Sequence, residues 1–347
     1  MSRRRTEHRS RPAGGPRPPA AKWLACALGG ALLAGTGITA GGQLAGAAPD
    51  ALDEAPFVGP PEASWRFGPP APGIEALAQD LYVVTGHGSN VLVRVTPEGV
   101  IVAGELNSQS EAVASSIEIV TDRPVRYVVR THRHGTEPAS VPAAWEGATV
   151  VASEPPAARP PGGDGRPAAL PALAFTRGLS LFLGAAEVRL RHFGPAHTDN
   201  DAVVLFPDLG VLYAGDLVVR GMPFIDFAAG GSSRGWVETL DGILALDFEI
   251  AVPGSGPPLT RREVQVFRDR FVTLRMRTMQ LLYRGVARED ALPLLQTVDL
   301  DWPFAGGGQF ATRSFPALYD QLASERDEAR EEAMATADPA SGETERP

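Results

Sequence analysis

The sequence predicts an α/β protein made of two β-sheets with helices on their outer sides. Three observations predict it. Short strand-like segments fall into two sets, one before and one after a Pro- and Gly-rich stretch at Pro155–Pro167. Segments with helical spacing lie between and after those sets, the arrangement of stacked sheet and helix layers. The residues best suited to chemistry, His132, His134, His197 and Asp216, all stand at strand-to-loop junctions, so both halves end their strands at one shared edge. A chain of 347 residues, 44% hydrophobic and 21% charged, has the composition of a globular protein and room for one large domain or two small ones.

The elements follow in order. Leu81–Thr85, Asn90–Val95 and Val100–Ala103 read as strands, separated by turn signals at Gly86–Ser89 and at Pro97, Glu98 and Gly99. Ser108–Val120 has helical spacing, with Ala112, Val113, Ile117 and Val120 on one side. Val125–Val129 is a strand that delivers His132 and His134, and Thr149–Ala152 is another. Pro155–Pro167 is a surface loop. Ser180–Leu183, Val188–His192, Ala202–Phe206 and Val211–Ala214 read as strands, Trp236–Leu246 as a helix and Ile250–Val252 as a strand. Thr260 and Glu263 form a capping-box pattern that opens a long helix to about Arg284. Helical segments at Arg288–Thr297 and Phe315–Ala335 complete the series.

The N-terminus reads as an export signal. Residues 1–22 carry seven basic side chains against Glu7, and an apolar run from Trp23 to Ala40 follows. Ala45, Gly46 and Ala47 offer a small-residue cleavage site, which leaves Ala48 as the new start. An uncleaved anchor is the alternative, although 18 weakly apolar residues with four glycines are marginal for crossing a bilayer core of ~30 Å. Cys26 is the sole cysteine, so a cleaved chain has neither disulfide nor thiolate ligand, and a metal must be held by nitrogen and oxygen. Without residues 1–47, 25 basic and 40 acidic side chains remain, a net charge of −15. That balance argues against nucleic acid and other polyanions, because phosphate binding needs cationic neutralisation. The expected partner is a small-molecule substrate, with membrane contact only through an uncleaved N-terminal segment.

The run Thr131–Glu137 (THRHGTE) carries the sharpest signal. Alternate residues on an extended backbone point to the same side, so His132 and His134 can reach one ion. A lone H-x-H is weak evidence, but GPAHTDND with His197 and LYAGDL with Asp216 follow. Together with VPGSGP, and in this order, these stretches resemble the metallo-β-lactamase superfamily over roughly Gln79 to Phe304. The resemblance implies an αββα sandwich, with metal bound between the sheet edges. Boundaries then read as 1–47 for a signal peptide or membrane anchor and 48–73 for a Pro/Ala/Gly-rich linker. Residues 74–305 form a metallo-β-lactamase-like domain, 306–336 a C-terminal helical extension and 337–347 a disordered acidic tail.

Carried over residue by residue, the family's H-x-H-x-D-H motif matches its first two histidines to His132 and His134. The third site histidine matches His197 and the bridging aspartate matches Asp216. Three neutral imidazoles suit a catalytic zinc with an open fourth position. The second metal site departs from the pattern: Thr136 stands where the family has Asp, Glu137 where it has the next His, and Ser255 where it has the last His. Thr136 can hydrogen-bond a water but cannot accept its proton. Glu137 could take over that task, could join Asp216 on a harder metal, or is a solvated loop carboxylate.

The expected function is an exported metal-dependent hydrolase with one zinc ion, acting on an ester, amide, thioester or lactone, with Asp216, Glu137 and Thr136 as catalytic groups. One alternative is a non-catalytic relative that binds a metal or ligand in a decayed site. Another is a mononuclear iron oxygenase-like enzyme on His132, His197 and Asp216, a set of two His and one carboxylate. His87, in the turn TGHGSN, and Ser255 are candidate substrate contacts. Asp199 and Asp201 are expected to brace the His197 loop or an imidazole by hydrogen bonds. His192, Trp236 and Trp302 read as structural.

Overall fold

The computed structural model describes residues 73–106, 109–134, 141–153, 171–302 and 308–337. The proposed signal, most of the linker, the Pro155–Pro167 loop and most of the acidic tail lie outside these residues. In the first half, the strands are β1 (Gly73–Ala78), β2 (Leu81–Thr85), β3 (Val91–Thr96), β4 (Gly99–Gly104), β5 (Val125–Val129), β6 (Thr149–Ser153) and β7 (Leu173–Phe175), with helix α1 (Ser110–Glu118) between β4 and β5. In the second half, β8 (Gly178–Leu183), β9 (Ala186–Arg191), β10 (Val203–Phe206) and β11 (Val211–Gly215) precede helix α2 (Ser233–Leu244). Strands β12 (Ile250–Pro253) and β13 (Leu259–Thr260) then lead into helices α3 (Arg261–Tyr283), α4 (Arg288–Leu294) and α5 (Phe315–Ala337).

The first half forms a seven-stranded sheet in the order β1-β2-β3-β4-β5-β6-β7, antiparallel as far as β4 and parallel from β4 onward. The second half forms a six-stranded sheet in the order β13-β12-β11-β10-β9-β8, in which only β11 and β12 run parallel. Both sheets are mixed, and helices flank them in the αββα sandwich that the sequence leads one to expect.

Strand alternation builds the layers. Along β4, Ile101 and Ala103 face the second sheet, while Val100 and Val102 face outward to Val113, Ala114 and Ile117 of α1. Along β10 and β11, Val204, Phe206, Val211 and Tyr213 face the first sheet. Their neighbours Val203, Leu205, Leu212 and Ala214 pack against α2, α3 and α5. Buried on both faces, β4, β10 and β11 can be continuous apolar runs with no exposed residue. The peripheral strand β9 keeps the half-buried alternation.

Helix α3 buries Val264, Phe267, Phe271, Leu274, Thr278, Leu281 and Leu282, the recurrence that puts one face on a core. Its capping box is formed: Glu263 N donates to Thr260 Oγ1 at 3.3 Å and Thr260 N donates to Glu263 Oε2 at 2.7 Å. The helix expected over Arg288–Thr297 ends earlier, at Leu294. Pro293 lacks the amide that would bond back one turn, and Leu295 turns extended. The short strands β1, β7 and β13, absent from the sequence reading, are added at sheet edges. A π-helical turn at Phe310–Ser314 precedes α5, and both share the core of the second sheet through Phe310, Phe315, Leu318 and Leu322. No helix among the described residues is long and apolar enough to cross a membrane.

Candidate metal centre

Parallel pairing decides where the site forms. Strands β4 and β5 run side by side in one sheet, β11 and β12 in the other. Parallel neighbours release their following residues at the same edge, where open α/β sheets place their ligands. The four strands are followed by Glu105, by Arg130, Thr131 and His132, by Asp216 and by Gly254. His197 arrives on the loop between β9 and β10.

The loops leave the strands sharply. Gly215 has φ of 54°, which turns Asp216 off the end of β11. A Cβ on Gly254 would sit 2.1 Å from Asp216 Oδ1, so glycine is required for the carboxylate to occupy its position. Asn90 ties the two sheets together here. Its N and Nδ2 donate to Gly254 O (2.7 Å), Pro253 O (2.9 Å) and Gly256 O (2.8 Å), and its carbonyl accepts from Tyr213 Oη at 2.8 Å.

His132, His134 and His197 converge, with ring centroids 5.0 Å apart for each pair. Their ligand atoms lie within 4.8 Å of one another. His134 Nδ1 and His197 Nε2 are 3.2 Å apart. Asp216 Oδ2 stands 3.8 Å from His132 Nε2 and 3.7 Å from His197 Nε2. Donors about 3.3 Å apart would surround a tetrahedral zinc with ~2.0 Å bonds, so these spacings fit one ion with small adjustments. A second set, Glu105, His132 and Asp216, also lies within 4.8 Å and shares His132 with the first.

Two imidazoles are oriented from behind. His197 Nδ1 donates to Phe224 O at 2.7 Å, which leaves Nε2 as the lone-pair atom facing the cluster. His134 Nε2 lies 3.0 Å from Asp226 Oδ2, which leaves Nδ1 facing inward. Asp226 is itself held by Arg313, whose Nη2 lies 3.3 and 3.4 Å from its two oxygens, and whose guanidinium sits 4.8 Å over the Phe224 ring. His132 differs. Its Nε2 ion-pairs with Glu105 Oε1, yet among the described residues neither atom has a hydrogen-bond partner of acceptable geometry.

The electrostatics follow from burial and these partners. Burial opposes charge on His132, but Glu105 beside it, then Asp216, push its pKa up to about 9. Burial likewise opposes ionisation of Glu105, and His132 nonetheless holds its carboxyl below the usual range. His197 is pushed down, first by burial and then by the charge on His132. Asp226 is lowered against its burial by His134 and Arg313. Without a metal, the cluster therefore keeps a cationic His132 between carboxylates; a divalent cation would replace that proton. The orphaned buried nitrogen of His132 and the all-nitrogen-and-oxygen donor set fit a metal.

Other residues named from the sequence stand as follows. Thr136 and Glu137 lie outside the described residues. Ser255 is exposed just beyond β12. His87 Nε2 lies 3.4 Å from Ser116 Oγ of α1. Asp201 accepts from Thr198 N at 2.7 Å and from Thr198 Oγ1 at 2.8 Å, within the loop that carries His197. Asp199 lies 3.6 Å from Arg133 Nη1. His192 Nδ1 is 2.7 Å from Asp201 O. Trp236 is fully buried with Nε1 donating to Leu217 O at 2.9 Å, and Trp302 is buried against Phe267. Sequence reasoning missed Glu105, Phe224, Asp226 and Arg313. For Glu105 a signal existed: an acid directly after a wholly apolar strand, beside the strand that delivers His132.

A two-sheet sandwich with three imidazoles and carboxylates converging at its strand ends defines a metallohydrolase-type fold with a candidate metal centre. The metallo-beta-lactamase superfamily profile matches residues 77–255, and the chain belongs to that superfamily. Among solved structures, the inverting sec-alkylsulfatase Pisa1 from Pseudomonas sp. aligns with a TM-score of 0.57 at 14% identity. That alignment covers 72% of this chain and 50% of the sulfatase, so the chain spans about half that protein's length. A metallo-beta-lactamase from Pontibacter korlensis aligns at 20% identity over 55% of this chain and 94% of its own, with a TM-score of 0.47. The metallo-beta-lactamase FIM-1 from Pseudomonas aeruginosa, in its mono-zinc form, aligns at 18% identity over 59% and 97%, with a TM-score of 0.44. No curated protein matches by sequence.

Proposed function

We propose that this chain is an exported hydrolase that holds one zinc ion on His132 Nε2, His134 Nδ1 and His197 Nε2, with Asp216 beside them. The observation that carries the reading is the convergence of three imidazoles at 5.0 Å centroid spacing, two of them oriented through their outer nitrogens. Bound there, zinc supplies a Lewis acid that activates a water and polarises an acyl carbonyl. The substrate class is an ester, amide, thioester or lactone. Asp216 would serve as an additional ligand or orient the water, with Thr136 and Glu137, on the chain just after His134, as further water-binding and proton-accepting groups. Phe224 O and Asp226 keep the imidazoles in register while the substrate binds.

Metal analysis of the purified protein tests this, with His132→Ala and His197→Ala as controls. About one equivalent of zinc in the wild type is expected, with loss in both variants and chelator-sensitive turnover of an ester panel. Equal metal content in all three proteins would sink the proposal. Iron on His132, His197 and Asp216 is a second reading, favoured by the 3.8 and 3.7 Å approaches of Asp216 to the two nitrogens. Iron with oxygen uptake would establish it, and zinc without turnover would establish a binding protein instead. Export is tested by the N-terminal residue of the mature protein, expected to be Ala48.

A further inference from the structure

We propose that Glu105 is itself a metal ligand, so that one divalent cation sits among three imidazoles and two carboxylates, Glu105 from the first sheet and Asp216 from the second. This rests on the three-histidine site proposed above and adds a donor to it.

The position of the contact carries the inference. A carboxylate that merely orients a ligating histidine binds its outer ring nitrogen, as Asp226 does for His134 and as Phe224 O does for His197. Glu105 does the opposite. Its Oε1 meets His132 at Nε2, the same atom that faces Asp216. Both atoms are buried, and among the described residues neither has a hydrogen-bond partner of acceptable geometry. The His132 side chain is only 2% exposed. The two atoms meet each other as an ion pair, and a divalent cation bound by both lone pairs would replace the proton between them.

Glu105 is also held in place. Ser89 Oγ donates to its other oxygen, Oε2, at 2.9 Å, which leaves Oε1 for the cluster. The backbone before it is closely packed: Gly104 pairs with Val91 in the sheet, and a Cβ there would meet Asn90 O at 3.0 Å and Tyr213 Oη at 3.2 Å. The charge balance agrees: three neutral imidazoles, two carboxylates and one divalent ion sum to zero in a mostly buried site. His132 belongs to both ligand sets, and the inference takes them as one ion rather than two. Glu105 thus compensates from another strand for the acidic and imidazole ligands that the sequence lacks at Thr136, Glu137 and Ser255.

The test compares zinc affinity of wild-type protein, Glu105→Gln and Asp226→Asn, by competition with a chromophoric chelator. Folding of each metal-free protein is checked by circular dichroism. Loss of an outer partner costs about 10- to 100-fold in metal affinity, so Asp226→Asn is expected inside that range and Glu105→Gln beyond about 100-fold. Unchanged affinity in Glu105→Gln, with the wild type binding normally, overturns the ligand role and leaves the three-histidine site standing. Absence of zinc binding by the wild type overturns both. Should Glu105→Gln not fold, Glu105→Ala takes its place in the same competition: a loss beyond about 100-fold supports the inference and unchanged affinity overturns it.

Discussion

Asp226 Oδ2 lies 3.0 Å from the outer nitrogen of His134. The pair links the metal centre to the C-terminal part of the chain, because Arg313 binds both oxygens of the same carboxylate. Ser314, the next residue, exchanges hydrogen bonds with the backbone of Ile225, accepting from its N at 2.9 Å and donating to its O at 3.0 Å. The C-terminal turn thus pins the segment that orients two of the three imidazoles.

Arg313→Ala should weaken this support without unfolding the protein. Arg313 is half exposed, so its loss leaves Asp226 less strongly held rather than creating a buried void. We expect zinc affinity to fall by about 10-fold or less, below the loss from removing the carboxylate itself. Isothermal titration of metal-free protein with zinc reads the difference.

Gly254→Ala should disturb the metal centre from a residue that touches no metal. Its Cβ would sit 2.1 Å from Asp216 Oδ1 and must displace either the carboxylate or the strand end. Overpacking of this kind costs about 1–3 kcal/mol. A lowered melting temperature together with reduced zinc occupancy is the expected outcome. Normal occupancy would mean that Asp216 is dispensable for binding.

Trp236→Ala should be among the most damaging core substitutions. The indole is fully buried against Phe267 and Phe271, and its ring lies 6.0 Å from His197. Truncating a buried tryptophan costs about 3–5 kcal/mol. Chemical denaturation should show that loss, whereas Trp236→Phe should retain part of the packing but not the bond to Leu217 O.

Thr260→Ala provides the contrasting case. It removes the hydroxyl half of the α3 capping box, remote in function from the metal, and should cost about 1 kcal/mol of stability. Urea denaturation measures it, and zinc binding should stay at the wild-type level.

Much of this was legible before any fold was known. His132 and His134 are two residues apart at the end of a strand, and an extended backbone sends alternate side chains the same way. Local geometry alone therefore brings them together. The capping box at Thr260 and Glu263 is likewise local, and both partners sit within one turn. Glu105 and Asp226 are different. Neither stands in a motif with the histidines, and each is brought to its partner by the packing of separate chain segments. Helix α4 ends three residues before the sequence pattern does, because helical spacing continues past Pro293 while the backbone hydrogen bonding does not.

The sequence by itself determined two strand sets, the helices that cover them and the His132–His134 pair, because periodicity and short-range spacing act along the chain; His197 and Asp216 come from the resemblance of their stretches to the metallo-β-lactamase superfamily. Tertiary structure decided that β4 lies parallel to β5, which sets Glu105 against His132, and that the C-terminal turn reaches Asp226. Those choices depend on which strands pair and which faces pack, interactions between residues distant along the chain that no local pattern encodes.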